Sequence, residues 1–217
     1  MSNSAPTQSE LDLLKSIYPV SRETIERLTV YVDRLKVWQQ KTNLVSTATL
    51  DTIWSRHIAD SLQCFALFPD MRQWADLGSG GGLPGMVLAI LLADEDGAKV
   101  HLVESNQKKC AFLRGIGRQT ESVATIHCGR IESETKQLLG IEVVTARALT
   151  VLPGVFEYSL PLIERGAIGL FHKGRDYQRE VADCSGLWKF DLVEHPSKVE
   201  ADSVLLEIRS LEKIEPK

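Results

Sequence analysis

The fold of this chain is decided by Trp74-Ala75-Asp76-Leu77-Gly78-Ser79-Gly80-Gly81-Gly82-Leu83-Pro84-Gly85. The stretch begins like the end of a buried strand, and its glycines allow a tight turn in which a ligand can lie close to the backbone. Pro84 suits the first position of a helix, and the apolar run 86–92 predicts that this helix packs against a sheet. Free N–H groups at the helix start are expected to face the ligand, which predicts a nucleotide-type cofactor site.

The spacing of the glycines narrows the kind of cofactor. Gly80, Gly82 and Gly85 fit G-x-G-x-x-G, a pattern that is weak on its own. Residues 76–82 also fit D-x-G-x-G-x-G, and an acid two residues before the first glycine is typical of class I methyltransferases that use S-adenosylmethionine. In that class the loop passes under the methionine and ribose parts of the cofactor. The alternative is a glycine-rich turn without a ligand.

Length and composition indicate one globular domain with an appendage. The 217 residues are 43% hydrophobic and 25% charged, which is ordinary for a soluble protein. No apolar run reaches membrane-spanning length, and residues 1–10 lack the apolar core of a signal peptide, so we expect a cytoplasmic protein. The net charge of −4 argues against coating nucleic acid through bulk charge, but it does not exclude a local basic patch.

Motifs that the sequence lacks also limit its chemistry. The four cysteines are widely spaced without a C-x-x-C pair, which argues against disulfides or a zinc site and favours small buried side chains. We therefore expect no metal. There is no H-E-x-x-H, G-x-S-x-G or phosphate-binding Walker loop, no Asn/Asp-Pro-Pro-aromatic segment, and no cysteine next to a proline. The substrate atom is therefore expected to carry its own lone pair and to need neither a base nor covalent attack.

Residues 1–70 predict a helical extension packed on the rest of the chain. Residues 1–9 are expected to be disordered, and a short amphipathic helix is expected to end at Pro19. Ser21 is the predicted N-cap of a second helix. The apolar stripe of that helix is predicted to be core and consists of Ile25, Leu28, Val32, Leu35 and Trp38.

A third helical region, about 50–68, contains two polar pairs at four-residue spacing, Arg56 with Asp60 and His57 with Ser61. The spacing alone favours a surface ion pair between Arg56 and Asp60. The alternative is a polar face turned toward a substrate cleft.

Residues 71–217 alternate between strand and helix patterns, which predicts a second, α/β unit. Predicted strands cover 73–77, 99–103, 123–127, 141–146 and 167–171, with helices between them. Strands at 188–192 and 204–208, joined by a short loop containing Pro196, predict an antiparallel pair at the sheet edge. The predicted fold is a Rossmann-like, mostly parallel seven-stranded sheet with an antiparallel edge hairpin and a helical N-terminal extension.

Ligands of such sheets bind at the carboxyl ends of the strands, so residues that leave each strand are candidates. Glu104 can accept hydrogen bonds from a ribose diol, or it is an exposed acid before a helix capped by Ser105 or Asn106. Ile131 could cover an adenine face and Glu132 could accept from its exocyclic amine, although this segment alone is only a loop entering a helix.

Two cationic segments follow later strands. Arg147 leaves the fourth strand and needs an anion or carbonyl partner, either a ligand at the site or an acid of the scaffold. Lys173-Gly174-Arg175 follows the fifth strand and could meet nucleic-acid phosphates.

Taken together, these segments resemble the RsmG/GidB family of bacterial small-subunit rRNA guanine-N7 methyltransferases over nearly the whole chain. The motifs are Asn43-Leu44, Arg56-His57-Ile58-Ala59-Asp60-Ser61, the glycine stretch 76–85, Val103-Glu104-Ser105, Phe112-Leu113-Arg114, Arg130-Ile131-Glu132, Ala146-Arg147-Ala148 and Lys173-Gly174. His172 departs from the apolar or small residue expected before the lysine.

The resemblance implies transfer of a methyl group from S-adenosylmethionine to N7 of guanine 527 in the 530 loop of 16S rRNA. It implies cofactor contacts by Gly78, Leu83, Ile131, Glu132 and Arg147, to which the glycine loop adds Gly80 and the strand end adds Glu104. It also favours a substrate-facing rim, formed by Arg56, His57 and Lys173.

Guanine N7 has no proton to lose, so we expect direct in-line displacement with no catalytic acid or base. The expected partner is 16S rRNA in the small ribosomal subunit or an assembly intermediate, bound by a monomer. Three rival hypotheses remain: an NAD-dependent oxidoreductase, which lacks a Tyr-x-x-x-Lys dyad here, a non-catalytic ribosome-binding module, and a methyltransferase of a small molecule.

Overall fold

The structure, a computed structural model, describes residues 4–214 and contains a seven-stranded sheet with helices on both faces. The helices are α1 Gln8–Ile17, α2 Arg22–Gln39, α3 Asp60–Leu67, α4 Gly85–Leu91, α5 Gln107–Gln119, α6 Ile131–Glu134, α7 Leu152–Ile163 and α8 Tyr177–Cys184. The strands are β1 Gln73–Leu77, β2 Lys99–Glu104, β3 Ala124–Cys128, β4 Val143–Arg147, β5 Ile168–Lys173, β6 Trp188–Pro196 and β7 Val204–Lys213.

The strand order is β3-β2-β1-β4-β5-β7-β6. The pairs from β3 to β5 are parallel, whereas β7 is antiparallel to both β5 and β6. This confirms the predicted fold class, including the antiparallel hairpin at one edge. The chain order reverses between β1 and β4, the place where doubly wound sheets bind their ligands.

Alternate residues of the strands feed two hydrophobic clusters, one on each face of the sheet. Trp74 and Val143 belong to the cluster that also contains α1, α2 and α4, whereas Ala75 and Val144 belong to the cluster with α7. A parallel strand covered on both faces is apolar at successive positions, and this explains the continuous apolar runs in the sequence. The N-terminal helices share one core with the sheet.

Several predicted boundaries in the N-terminal part are wrong. Helix α1 begins at Gln8, and Thr7 forms a capping box with Glu10. Residues 4–9 are therefore ordered, contrary to the expected disorder. Residues 1–3 lie outside the described residues. The predicted third helix is divided into a π-helical turn, Trp54–Ala59, and α3. Ser21 caps α2 as predicted, with its side chain accepting from the Thr24 N–H.

Three further expectations need correction. Trp38 is 36% exposed and packs its ring against Phe112 instead of joining the core. Strands β6 and β7 extend beyond the predicted ends, so Pro196 is the last residue of β6 and not part of a loop. Cys128 is exposed, whereas the other three cysteines are buried as predicted. Between residues 4 and 214, no helix is both long and apolar enough to cross a membrane.

Candidate functional site

A cleft of about 810 Å³ opens at the carboxyl ends of β1, β2 and β4. Its lining includes nine of the ten residues predicted for the cofactor and the substrate: Gly78, Gly80, Leu83, Glu104, Ile131, Glu132, Arg147, Arg56 and His57. The tenth, Lys173, lines a neighbouring cavity of about 320 Å³, called here the second cavity. The fold therefore places the predicted residues around two adjoining spaces.

Backbone hydrogen bonds fix the glycine turn to the neighbouring strand. The N–H groups of Gly78 and Ser79 both donate to the Val103 carbonyl, at 2.9 and 3.0 Å. Gly82 has φ +96°, and a Cβ at this position would lie 2.7 Å from the Met86 Cβ. Only glycine fits such a turn without strain, because the left-handed backbone and the close side chain both exclude a larger residue.

The buried Asp76 stabilises the glycine turn through hydrogen bonds and does not line the cleft. Its carboxylate accepts from the Gly85 N–H at 3.2 Å and from the Thr145 hydroxyl at 3.0 Å. Burial raises the pKa of Asp76 to about 6, although both hydrogen bonds oppose the shift. The first N–H of α4 is therefore used by Asp76 and is not free for a ligand as predicted. Pro84 precedes the helix by one residue and is not its first position.

Tyr31 was missed by the sequence analysis, yet it connects the N-terminal extension to the glycine turn. Its fully buried side chain lies on α2, and the hydroxyl donates to the Gly81 carbonyl at 2.7 Å. The signal was present, since Tyr31 stands at helical spacing with Leu28 and Leu35 in the apolar stripe. A tyrosine hydroxyl in a core requires a polar partner, and here that partner is the ligand-facing loop.

Glu104 ends β2 with its carboxylate in the cleft wall. One oxygen accepts from the Gly80 N–H at 2.9 Å and the other from the Asn106 N–H at 2.7 Å. An ionised carboxylate has about four acceptor positions, so each oxygen keeps capacity for a hydroxyl of a ribose. The Asn106 side chain caps α5, which leaves Glu104 free of the capping role. These residues fit an adenosyl cofactor.

Ile131 and Glu132 begin α6 and line the same cleft. Ile131 is half-buried and packs against the core cluster on the α7 face of the sheet, while Glu132 is exposed. This arrangement is compatible with the predicted contacts of Ile131 and Glu132 with adenine. Those contacts stay a prediction.

Arg147 is surrounded by polar groups from the N-terminal extension. Its Nη2 donates to His57 Nδ1 at 2.5 Å and to the Arg56 carbonyl at 3.3 Å, and its Nε lies 3.4 Å from an Asp60 carboxylate oxygen. Its Nη1 is buried and has no hydrogen-bond partner among residues 4–214. A buried donor without a partner is costly, so this atom is available to a ligand acceptor.

The contact with Arg147 determines which ring nitrogen of His57 carries the proton. Arginine only donates, so Nδ1 accepts and Nε2–H donates to the Thr49 hydroxyl at 2.7 Å. Burial and the neighbouring Arg147 charge lower the pKa of His57 to about 4. The neutral imidazole thus links Arg147 to the Thr47–Thr49 turn at the cleft mouth, and both ring nitrogens are occupied.

The predicted surface ion pair between Arg56 and Asp60 is wrong. Asp60 is turned inward toward Arg147 and His172, and Arg56 instead pairs with Glu200. The π-helical turn explains the difference, because it changes the angular spacing on which the four-residue pairing rests. The polar face of this region is turned toward the two cavities.

Lys173 and His172 lie in the wall of the second cavity. The Lys173 ammonium donates to the Thr150 carbonyl at 2.8 Å and to Glu180 at 2.7 Å, so its charge is compensated by the scaffold. His172, the residue that departs from the family pattern, lies with its Nε2 3.1 Å from the Asp60 carbonyl. Across residues 4–214, no cluster of three or more His, Cys, Asp or Glu side chains is arranged to hold a metal.

Comparison with known proteins identifies the family. The model of the family GidB, rRNA small subunit methyltransferase G, matches residues 24–205. A ribosomal RNA small subunit methyltransferase G from Rhizobium leguminosarum bv. trifolii is 49% identical over 197 residues, 90% of this chain and 96% of the relative. The protein of the same name from Brucella ovis is 47% identical over 201 residues, 92% of this chain and 94% of the relative.

The fold is shared with more distant methyltransferases. A Bacillus cereus O-methyltransferase in complex with SAH has a TM-score of 0.58 at 13% identity, covering 93% of this chain and 97% of its own. The glycine turn, the Glu104 carboxylate and the family match agree on S-adenosylmethionine as the cofactor. The chain belongs to the rRNA small subunit methyltransferase G (GidB) family of S-adenosylmethionine-dependent methyltransferases.

Proposed function

We propose that this protein methylates N7 of guanine 527 in the 530 loop of 16S rRNA by direct in-line displacement, without a general base. The proposed setting is the cytoplasm, and the substrate is the small ribosomal subunit or an assembly intermediate. The family supplies the reaction class, and the resemblance of the quoted motifs supplies the target atom. One structural observation carries the mechanism: His57, the histidine in the cleft wall, has both ring nitrogens engaged.

The chemistry requires alignment more than proton transfer. S-adenosylmethionine supplies a methyl group that is already activated on a sulfonium. Guanine N7 carries an in-plane lone pair and no proton, so no side chain must remove one. Catalysis then depends on holding N7, the methyl carbon and the sulfur in line, at a near-attack separation of about 3–3.5 Å. A rigid wall that orients both molecules meets this need.

Different residues are proposed to orient different parts of the cofactor and the substrate. Gly78, Gly80 and Leu83 are proposed to lie against the cofactor, with Glu104 accepting from its ribose. Ile131 and Glu132 are proposed to hold the adenine. Arg147 is proposed as a positioning residue, because its free Nη1 can donate to the cofactor carboxylate, to guanine O6 or to a phosphate.

The charge distribution favours a folded particle as substrate over bare RNA. The chain is acidic overall, and two cations of the predicted rim, Arg56 and Lys173, are ion-paired with Glu200 and Glu180. Because the chain is acidic and these two cations are compensated by the scaffold, we expect modest, salt-sensitive RNA binding by a monomer. Recognition then depends on the shape of a structured target. Equal rates on a naked hairpin and on small subunits would contradict this.

The decisive experiment maps N7-methylguanine in the 16S rRNA of a strain lacking the gene, by borohydride–aniline cleavage. We expect the cleavage at guanine 527 to disappear and to return with the wild-type gene. Unchanged cleavage in the deletion strain would reject the proposed function.

Purified Arg147→Ala, assayed with S-adenosylhomocysteine binding and methylation of small subunits, tests the positioning role. Arg22→Ala serves as a matched control, because Arg22 is an exposed arginine on α2. We expect a loss of at least about tenfold in one of the two measurements for Arg147→Ala and none for Arg22→Ala. If Arg147→Ala behaves like the control in both, that role is wrong.

A further inference from the structure

The second cavity shares a wall with the cofactor cleft. Arg56, Arg147 and Ala148 line both spaces, so a group in the second cavity reaches the cleft along these three residues. Glu200 lines the second cavity but not the cleft. At about 320 Å³ the cavity has room for one nucleotide-sized group.

Two of the three acids in this cavity already serve the scaffold. Asp60 accepts from the Gln63 amide at 3.0 Å and pairs with Arg147 through its other oxygen. Glu180 accepts from the Lys173 ammonium at 2.7 Å and from a backbone N–H of α7 at 2.6 Å. Each of these carboxylates balances a largely buried cation, so neither can turn to a ligand without leaving that cation unpaired.

Glu200 is different because its charge partner is replaceable. It pairs with Arg56, and both side chains are more than one-third exposed. Its backbone is nevertheless fixed, since the Ser197 hydroxyl accepts from the Glu200 N–H at 3.1 Å and Gln63 accepts from the Lys198 N–H at 2.6 Å. The structure therefore presents an exchangeable carboxylate on an anchored loop.

Guanine has an edge that suits such a carboxylate. N7 and O6 lie on one edge of the base, whereas N1–H and the N2 amine lie on the opposite side and are both donors. With N7 toward the cofactor cleft, the two donors point away from the cleft into the second cavity, where a carboxylate can accept from both. A nucleotide also carries a phosphate, which an arginine released from its ion pair can bind.

We propose that the second cavity binds the target guanosine nucleotide, with Glu200 accepting from N1–H and the N2 amine and Arg56 exchanging Glu200 for a phosphate. This rests on the proposed function, N7 methylation of guanine. The substrate then separates the Arg56–Glu200 pair into the two groups that recognise it. The cavity selects guanine by its Watson–Crick edge while N7 stays free to react.

The test uses small subunits reconstituted with guanosine, inosine or 7-deazaguanosine at the mapped position. Inosine lacks only the N2 amine, and 7-deazaguanosine lacks N7. We expect wild-type kcat/KM to be about 10- to 100-fold higher for guanosine than for inosine, the range of one charge-assisted hydrogen bond. In Glu200→Ala the ratio should fall to about 1. Asp202→Asn is the matched control, because Asp202 is on the same loop and pairs with the exposed Arg175.

The three substrates separate this inference from the proposed function. Absence of methylation on guanosine particles, or equal methylation of 7-deazaguanosine, would reject the proposed function itself. Methylation of guanosine and inosine at equal kcat/KM by the wild type would overturn only the role of Glu200. That role is also overturned if Glu200→Ala keeps the wild-type ratio, as Asp202→Asn is expected to do.

Exchanging the charges of Arg56 and Glu200 tests whether their ion pair serves only the stability of the fold. Arg56→Glu combined with Glu200→Arg restores the pair and should restore the melting temperature, yet the groups would face the base and the phosphate with inverted charge. We expect the double variant to lose activity by at least about 100-fold. Recovery of wild-type kcat/KM would overturn the proposal. Arg56→Ala should lower kcat/KM for guanosine and inosine equally and reduce the slope of log kcat/KM against log salt by about one.

Discussion

The cofactor cleft and the second cavity meet at Arg147, but they are built in different ways. The floor of the cleft is a short stretch of chain whose backbone N–H groups bond to β2 and to Glu104. The second cavity is assembled from side chains far apart in sequence, among them Asp60, Lys173 and Glu200. The cleft therefore depends on backbone conformation and the cavity on compensated charge. Substitutions should damage the two spaces by different mechanisms.

The largest effect is expected at Gly85, where the cleft depends on close backbone packing. A Cβ at this position would lie 2.6 Å from an Asp76 carboxylate oxygen and 2.7 Å from the Asp76 Cβ. Because Asp76 is buried and cannot move away, Gly85→Ala should lower the free energy of unfolding by about 3 kcal/mol and abolish binding of S-adenosylhomocysteine. Urea unfolding measures the free energy of unfolding, and calorimetry measures the binding of S-adenosylhomocysteine.

Gly115→Ala provides the control for this substitution. Gly115 lies within α5 with no atom near its added Cβ, so alanine should stabilise the protein by up to about 1 kcal/mol. A Gly85→Ala protein with control-like stability and binding would show that the turn tolerates displacement of Asp76.

A smaller loss is expected from Asp60→Ala, which breaks the charge compensation of the second cavity. The variant leaves Arg147 without its carboxylate in a site where their side chains are 18% and 12% exposed. We expect about 2 kcal/mol lower stability, with partial exposure reducing the effect of a fully buried pair. Methylation should fall further than binding of S-adenosylhomocysteine, because the cofactor floor is untouched. Asp94→Ala, which removes the exposed partner of Arg27, should cost less than about 1 kcal/mol.

The difference between the cleft, which is built from local backbone, and the second cavity, which is built from distant side chains, explains how much of each the sequence could predict. The strands from β1 to β5, and the residues that leave them, follow from local apolar patterns and glycine spacing, because parallel strands buried on both faces leave a continuous apolar signal. Glu104 and Arg147 were found because a position at a strand end is a property of the local sequence. The resemblance to a family then added Leu83 and favoured the substrate-facing role of Arg56, His57 and Lys173.

The second cavity could not be predicted, because its partners are chosen by tertiary structure. The spacing of Arg56 and Asp60 predicted an ion pair between them, yet the π-helical turn gave each a partner more than eighty residues away, Glu200 for Arg56 and Arg147 for Asp60. No local pattern marks Glu200 or Gln63. The role of Asp76 depends on packing in the same way: the motif includes the acid, but only the structure shows that its carboxylate supports the turn.

A still smaller effect is expected from Tyr31→Phe, which tests whether the extension supports the cleft. The substitution removes the hydrogen bond to the Gly81 carbonyl and keeps the buried ring. We expect about 1 kcal/mol lower stability and a few-fold weaker binding of S-adenosylhomocysteine, with unchanged guanosine-to-inosine selectivity. Tyr158→Phe is the control, since Tyr158 lines the cleft without a hydrogen bond between its hydroxyl and other residues of the 4–214 range. Identical affinities for both variants would show that Tyr31 does not hold the loop.

The smallest expected effect is the pH dependence of stability, because two titratable groups, Asp76 and His57, have opposite effects. The pKa of Asp76 is raised to about 6 in the fold, so the folded state retains a proton that the unfolded chain loses, and stability falls as pH rises from about 4 to 6. The pKa of His57 is lowered to about 4, so the unfolded chain binds the extra proton and stability rises between about pH 4 and 6.5. In the wild type these slopes largely cancel.

Two variants separate the opposing slopes. Asp76→Asn removes the falling component, so the free energy of unfolding should rise more steeply with pH than in the wild type. His57→Asn keeps an acceptor near Arg147 but removes the rising component, so its profile should be flatter or inverted. Urea titrations from about pH 4.5 to 6.5, read as variant minus wild type, cancel the slopes of the other carboxylates and histidines. Differences of the same sign in both variants would contradict the assignment of a neutral His57 bound to Arg147 and a protonatable Asp76 beneath the turn.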